Sequence, residues 1–152
     1  MKKKTNPVWG GRFKKKPSPL LEKINNSISF DYRLANEDIR LCKAYTEALV
    51  SAKIISASEN KSIQVNLKKI NDEMEKGKIE FQEEYEDIHM NIEMILKKRI
   101  GLLSGKIHTG KSRNDQVVTD MKLWVKEKLK SLSKKISRLQ NIIISKAEKN
   151  IE

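Results

Sequence analysis

NDQVVTDMKLWVKEKLKSLSKKISRLQNIIISKAEKNIE, residues 114–152, places Met121, Val125, Leu129, Leu132, Ile136, Leu139, Ile143 and Ala147 at steps of mainly three and four. That spacing returns an apolar side chain to one face of an α-helix at every turn. The stretch therefore predicts one long helix from about Asn114, extending about 50 Å at roughly 1.5 Å per residue. A helix of that length exceeds what a compact domain of this size needs, so its stripe calls for partners. The closing SKAEKNIE has neither Gly nor Pro as a stop signal, so the helix is expected to be cut there rather than completed.

Working back along the chain, Leu34, Ile39, Leu41, Tyr45, Ala48 and Leu49 predict a helix over about 32–52. Ile63, Leu67, Ile70 and Met74 predict a second over 57–74. Ser56 or Ser58 is placed to cap the second helix, and Gly77 to end it. A third is expected from Glu86 to about Arg99, closed by Gly101, with a loop over 101–112 before the long helix. Residues 1–18 hold two of the three prolines and two lysine runs and read as an irregular arm, whose Trp9 and Phe13 are expected to dock on the helices or on another subunit. The fold class is all-α: an irregular arm, short helices and the start of a long central-bundle helix. The expected division is an amino-terminal domain over 1–112 and the start of a truncated bundle domain over 113–152.

Composition supports this architecture and narrows the function. Aromatics are only 5% and charged residues 34%, which suits helices with thin apolar stripes and broad solvated faces. The net charge is +12, but 26 of the 32 basic residues are lysine. Scattered lysine lacks the planar fork with which arginine reads guanine and phosphate, so nucleic-acid binding is a minor alternative. Lys2, Lys3 and Lys4 precede a stretch too short and polar for a signal peptide, and no segment approaches the roughly 20 apolar residues that span a bilayer. A cytoplasmic protein without membrane contact is expected. The lone Cys42 lies in an apolar helical pattern and reads as a buried structural thiol.

The densest polar cluster is GKIHTGKSRNDQ, residues 105–116, immediately before the long helix. Backbone N–H groups at a helix start favour an anion, and Thr109, Ser112, Arg113 and Asn114 can add donors aimed at carboxylate oxygens. The plainer reading is a capped loop, with Ser112 or Asn114 as the cap. Gly105, Gly110, Lys111 and Ser112 also have the spacing of a phosphate-cradling P-loop, but no strand precedes them and no later strand ends in an Asp for magnesium. A second cluster, EYEDIHMNIE, holds Glu84, Glu86, Asp87, His89 and Glu93. A single histidine without a second at helical spacing is weak evidence for a metal, and capping and solvation are the default reading.

Four collinear segments carry a resemblance: WGGRF at 9–13, NNSISFDYRLANEDI at 25–39, EDIHMNIE at 86–93 and KIHTGKSRNDQVVTDMKLW at 106–124. Together they resemble the argininosuccinate lyase family, within the fumarase and aspartase superfamily of helical tetramers. The likeness covers the whole chain but only about the first third of a typical member. It implies β-elimination of argininosuccinate to arginine and fumarate, in arginine biosynthesis, with no metal or organic cofactor. By the same likeness, Ser27 and Asn114 correspond to substrate-binding positions and Arg113 to a carboxylate partner, with Ser112 and Thr109 as further substrate contacts. Asp87 and His89 are expected to orient the site without moving protons. Lys111 departs from the arginine usual in the family and loses its planar fork.

The histidine and serine segments that carry catalysis in the family have no counterpart in these residues. No catalytic residue is therefore assigned, and the isolated chain is expected to be inactive. The resemblance implies a homotetramer for a full-length version, or a complementary lyase polypeptide for this one. The alternative is a noncatalytic, lyase-derived interaction module that uses the same helix stripe.

Overall fold

The computed structural model describes residues 18–151, and they are helical with no strand among them. The arm expected over 1–18, with Trp9 and Phe13, lies outside the described residues save for Ser18. Helix α1, Pro19–Asn25, follows directly. The Ser18 hydroxyl accepts from the Leu21 amide at 3.2 Å, and Pro19 supplies the fixed φ of a first helical position. Sequence reading passed over this short helix because it buries no residue and so has no stripe.

Helix α2, Ile28–Asp31, leads through a 3-10 turn, Tyr32–Leu34, into α3, Ala35–Ser51. Helix α4, Ala57–Glu75, begins at Ser56, which together with Glu59 forms a reciprocal capping box. Gly77, at φ +65°, follows the end of α4 in the left-handed region that glycine enters without strain. Helix α5, Ile88–Ile100, starts two residues later than the acid-rich sequence suggested. Asp87 is its cap, taking the Met90 amide at 2.6 Å. Gly101, at φ +61°, closes it.

The core is built by one face of each helix. Ile39, Cys42 and Leu49 of α3 meet Ile63, Leu67 and Ile70 of α4 and Ile88, Ile92 and Leu96 of α5. Each such side chain contributes roughly 1.5–3 kcal/mol when fully withdrawn from water. The cysteine is buried, as its pattern suggested. Hydrogen bonds between buried or half-buried polar groups tie the helices together: buried Thr46 meets Gln64 Nε2 at 2.9 Å, and that amide also donates to the Lys43 carbonyl at 2.8 Å, joining α4 to α3. Buried Asn91 accepts from the Gln82 amide at 2.7 Å and donates to the Asp87 carbonyl at 2.9 Å, pinning the segment that leads into α5.

The loop expected over 101–112 is largely a 3-10 helix, Gly101–His108. Ile107 and Ser104 are buried there, and Leu103 packs against the core, so an apolar anchor every few residues draws the segment into regular structure. Helix α6, Arg113–Glu148, then runs for 36 residues, about 54 Å. Only its beginning packs on α3, and it does so through buried Gln116 and Asp120 and half-buried Trp124. The predicted apolar stripe lies on another face: Met121, Leu129, Leu132, Ile136, Leu139 and Ile143 are all exposed.

Candidate functional site

A cleft of about 440 Å³ opens where α2, the start of α5 and the start of α6 converge. Ser27, Asp31, Arg33, Asp87 and His89 supply its polar lining, and Phe30, Leu34, Val117, Met121 and Trp124 its apolar lining. The local backbone sets these positions. Ser27 and Ile28 both donate their amides to the Glu86 carbonyl, at 2.9 and 3.0 Å. Glu86 sits at φ +62°, ψ −56°, and the Asp87 amide reaches back to the Tyr85 carbonyl at 2.6 Å, which is a γ-turn of the strained form. That turn carries Asp87 into the cleft beside Ser27. The Ser27 hydroxyl donates to Asp31 Oδ2 at 2.6 Å, and Asp31 Oδ1 accepts the Ile88 amide at 3.2 Å. Burial, only partly offset by the Ser27 hydroxyl, raises the Asp31 carboxyl above its ordinary range.

The residues expected from the 105–116 cluster divide between two positions. Ser112 caps α6, its hydroxyl taking the Asn114 amide at 3.2 Å while Asp115 returns a contact to the Ser112 amide. Asn114 itself is exposed, and its side-chain amide meets no partner among the described residues. Thr109 contributes its carbonyl to the Tyr45 hydroxyl at 2.6 Å. Neither Thr109, Ser112 nor Asn114 lines the cleft. Arg113 leans toward it, with Nε 3.8 Å from Asp87 Oδ2 and Nη2 3.8 Å from Glu93 Oε2. Glu93 also meets His108 Nε2 at 2.8 Å. Burial works to raise Glu93, but the His108 hydrogen bond and the charges of His108 and Arg113 outweigh it and hold the carboxylate ionised.

Lys111 does not behave as a phosphate-binding lysine. Its ammonium turns inward, 3.9 Å from Cys42 Sγ and 5.1 Å from the centre of the Tyr45 ring. Burial first, then the Asp38 charge, push the Cys42 thiol far above the usual range, so it is a poor nucleophile.

The five members of the acid-rich cluster are also dispersed. Asp87 and Glu93 turn toward Arg113, whereas Glu84 is exposed. His89 points instead to two acids that sequence reading missed: its Nδ1 lies 3.0 Å from Asp38 Oδ1 and 3.4 Å from Asp120 Oδ2. The Gln116 amide donates to the same Asp38 oxygen, and Gln116 Oε1 accepts from Arg113 Nη1 at 3.3 Å. Asp38, His89, Gln116 and Asp120 are all buried. Burial works to raise Asp38, yet His89, Gln116 and Asp120 hold it below the usual carboxylate range. Asp120 goes the other way: burial and then the adjacent Asp38 carboxylate push it up to about 8. Neither Asp120 oxygen finds a hydrogen-bond donor, so the neutral acid is the favoured form at neutral pH.

The family model described as lyase matches residues 11–152. The chain belongs to the lyase family. Among curated relatives, a protein named argininosuccinate lyase from Ehrlichia ruminantium (strain Welgevonden) is 46% identical over 148 residues, covering 97% of this chain and 32% of that protein. One of the same name from Ehrlichia chaffeensis is 48% identical over 147 residues, covering 97% of this chain and 31% of the relative. Another, from Bacillus anthracis, is 43% identical over 145 residues, covering 95% and 31%. This lyase-family chain thus spans about a third of the length of the curated relatives it matches. Its cleft residues Ser27, Asp87 and His89 all lie inside the matched region.

Proposed function

We propose that this chain supplies the amino-terminal third of an argininosuccinate lyase, which cleaves argininosuccinate to arginine and fumarate in the cytoplasm. The observation that carries the reading is identity of 43–48% to proteins of that name along nearly the whole chain. The convergence of Ser27 and Asp87 on one cleft, with Arg113 beside it, adds to this. In β-elimination a base removes a carbon-bound proton, extra negative charge gathers on the neighbouring carboxylate, and an acid assists the departing guanidinium nitrogen. Donors that bind that carboxylate more tightly as charge develops lower the barrier.

Ser27, Arg113 and Asn114 are assigned this donor role, the Ser27 hydroxyl turning from Asp31 to the substrate when it binds, with Ser112 and Thr109 shaping the turn from which Arg113 and Asn114 project. Ser27 and Asn114 stand on separate elements, and a substrate bridging them would draw on walls from other parts of the assembled enzyme. Asp87 and His89 orient the site. Residues 1–112 act as the amino-terminal domain and 113–152 as the opening of a bundle domain, where the exposed stripe of α6 meets other subunits of a homotetramer. On this reading the 152 residues form one wall of a composite site and have no turnover alone.

The test combines the chain with a polypeptide corresponding to the remaining two thirds of a relative and follows fumarate release. Activity from the mixture and none from either piece is the expected result. A well-assembled, inactive complex would count against the lyase reading and favour a noncatalytic interaction module. In the active complex, Asn114→Ala is expected to lower turnover by about ten-fold or more, on the order of the loss of one transition-state donor, with assembly unchanged.

A further inference from the structure

We infer that Asp38 and Asp120 are positioning residues that hold the Nδ1 edge of His89 in the protein interior, so that Nε2 is the ring nitrogen offered to the cleft. The inference rests on the cleft being the substrate site, as proposed above, and it gives the two buried acids a role that the resemblance does not. His89 lines the cleft although it is only 2% exposed, so one edge of its ring faces the opening while the rest is enclosed. The enclosed edge is identified by its contacts: Nδ1 is 3.0 Å from Asp38 Oδ1 and 3.4 Å from Asp120 Oδ2. Among the described residues Nε2 has no hydrogen-bond partner.

The two acids do different work. Asp38 is the acceptor. Its Oδ1 takes the Gln116 amide as well as facing Nδ1, and a buried ionised carboxylate needs such donors. The imidazole therefore carries its proton on Nδ1, and the ring can neither flip nor exchange tautomers without depriving Asp38 of that donor. Asp120, on α6, closes the other side. No donor from a neighbouring group reaches its carboxyl, so it stands as the neutral acid beside Asp38 and adds no second charge to the enclosure. Because Gln116 also accepts from Arg113, the network that seats His89 reaches the guanidinium at the start of α6. The cleft nitrogen and the cleft-side arginine are thus set by one buried carboxylate, in the way outer hydrogen bonds fix the tautomer of functional histidines elsewhere.

The decisive measurement is the two-bond and three-bond nitrogen-to-carbon-proton correlation spectrum of His89 in the full 152-residue chain, which reports separately on Nδ1 and Nε2. The wild-type chain is expected to show a proton on Nδ1. Asp38→Ala should move the ring toward the Nε2–H form with helicity retained. Asp38→Asn, whose amide oxygen can still accept, should restore the Nδ1 proton. An unprotonated Nδ1 in the wild-type chain overturns the proposal, and so does an Asp38→Ala spectrum identical to wild type. If Asp38→Ala does not fold, the wild-type spectrum alone decides whether the seating stands.

Activity in the complemented enzyme separates this inference from the reading it rests on. An Nδ1 proton in an inactive complex removes the lyase reading and leaves the seating of the ring intact. An active complex whose Nδ1 is bare removes the seating alone.

Discussion

Asp120 departs far from the ordinary behaviour of an aspartate. It titrates higher in the folded chain, at about 8, than the 3.8 ordinary for Asp, so folding favours its proton. The stabilisation linked to that proton is fully present below the ordinary value and is lost as pH rises through about 8. The groups facing Asp120 are Asp38 and His89, with Lys111 and Glu37 acting at longer range. Asp120→Asn mimics the neutral acid and cannot ionise. Its stability relative to wild type is therefore expected to rise between about pH 4 and 8, by at most about 1.4 kcal/mol per pH unit, and to level off above. Urea melts of both chains at about pH 5, 7 and 9 check this, and parallel curves across that range would contradict it. Ser27, Asp87 and His89, which line the cleft, were legible as candidates because short motifs carry them. Asp38, Gln116 and Asp120 were not, because their significance lies in separations of 51 and 78 residues along the chain. One signal was available: Gln116 and Asp120 stand four apart on a helix, just off its apolar stripe.

At the scale of elements, the helix boundaries were the best-read feature. Ser56 and Ser112 both cap as serines before a helical stripe should, each with an acid three residues on. Replacing either with Ala is expected to cost about 1 kcal/mol, measured by chemical denaturation. Gly101, at φ +61° and ψ −137°, occupies a conformation open essentially to glycine alone. Gly101→Ala should cost about 1–3 kcal/mol although a Cβ there would touch nothing, because the penalty lies in the backbone. The segment 101–108 was misread as a loop, since 3-10 geometry has no distinct apolar period over so few residues. Its regularity comes from Ile107 and Ser104 settling onto the helices beneath. The start of α5 shifted for a related reason: the strained turn at Glu86 is held by amides from Ser27 and Ile28, and no local propensity records them.

Over the whole molecule, α6 divides into a short packed beginning and a long exposed remainder. Every residue from Val125 to Glu148 is exposed, and Leu129, Leu132, Ile136, Leu139 and Ile143 repeat at steps of three and four. If this face joins subunits, Leu132→Asp with Ile136→Asp should lower the sedimentation coefficient of the assembled enzyme toward that of smaller species. An unchanged assembly would remove the stripe from the interface. No helix among the described residues is long and apolar enough to cross a membrane, so the stripe is not a span.

The sequence by itself determined the all-α class, the principal helices and their caps, because stripe periodicity and capping act within a few residues of chain. Its motifs likewise carried the family. Only the tertiary structure decided which face of α6 is buried, that His89 turns to Asp38 and Asp120 rather than to its acidic neighbours in sequence, and that Arg113 joins them through Gln116. Those outcomes depend on which buried groups meet across helices, where the cost of an unpaired charge selects partners that no local spacing reveals.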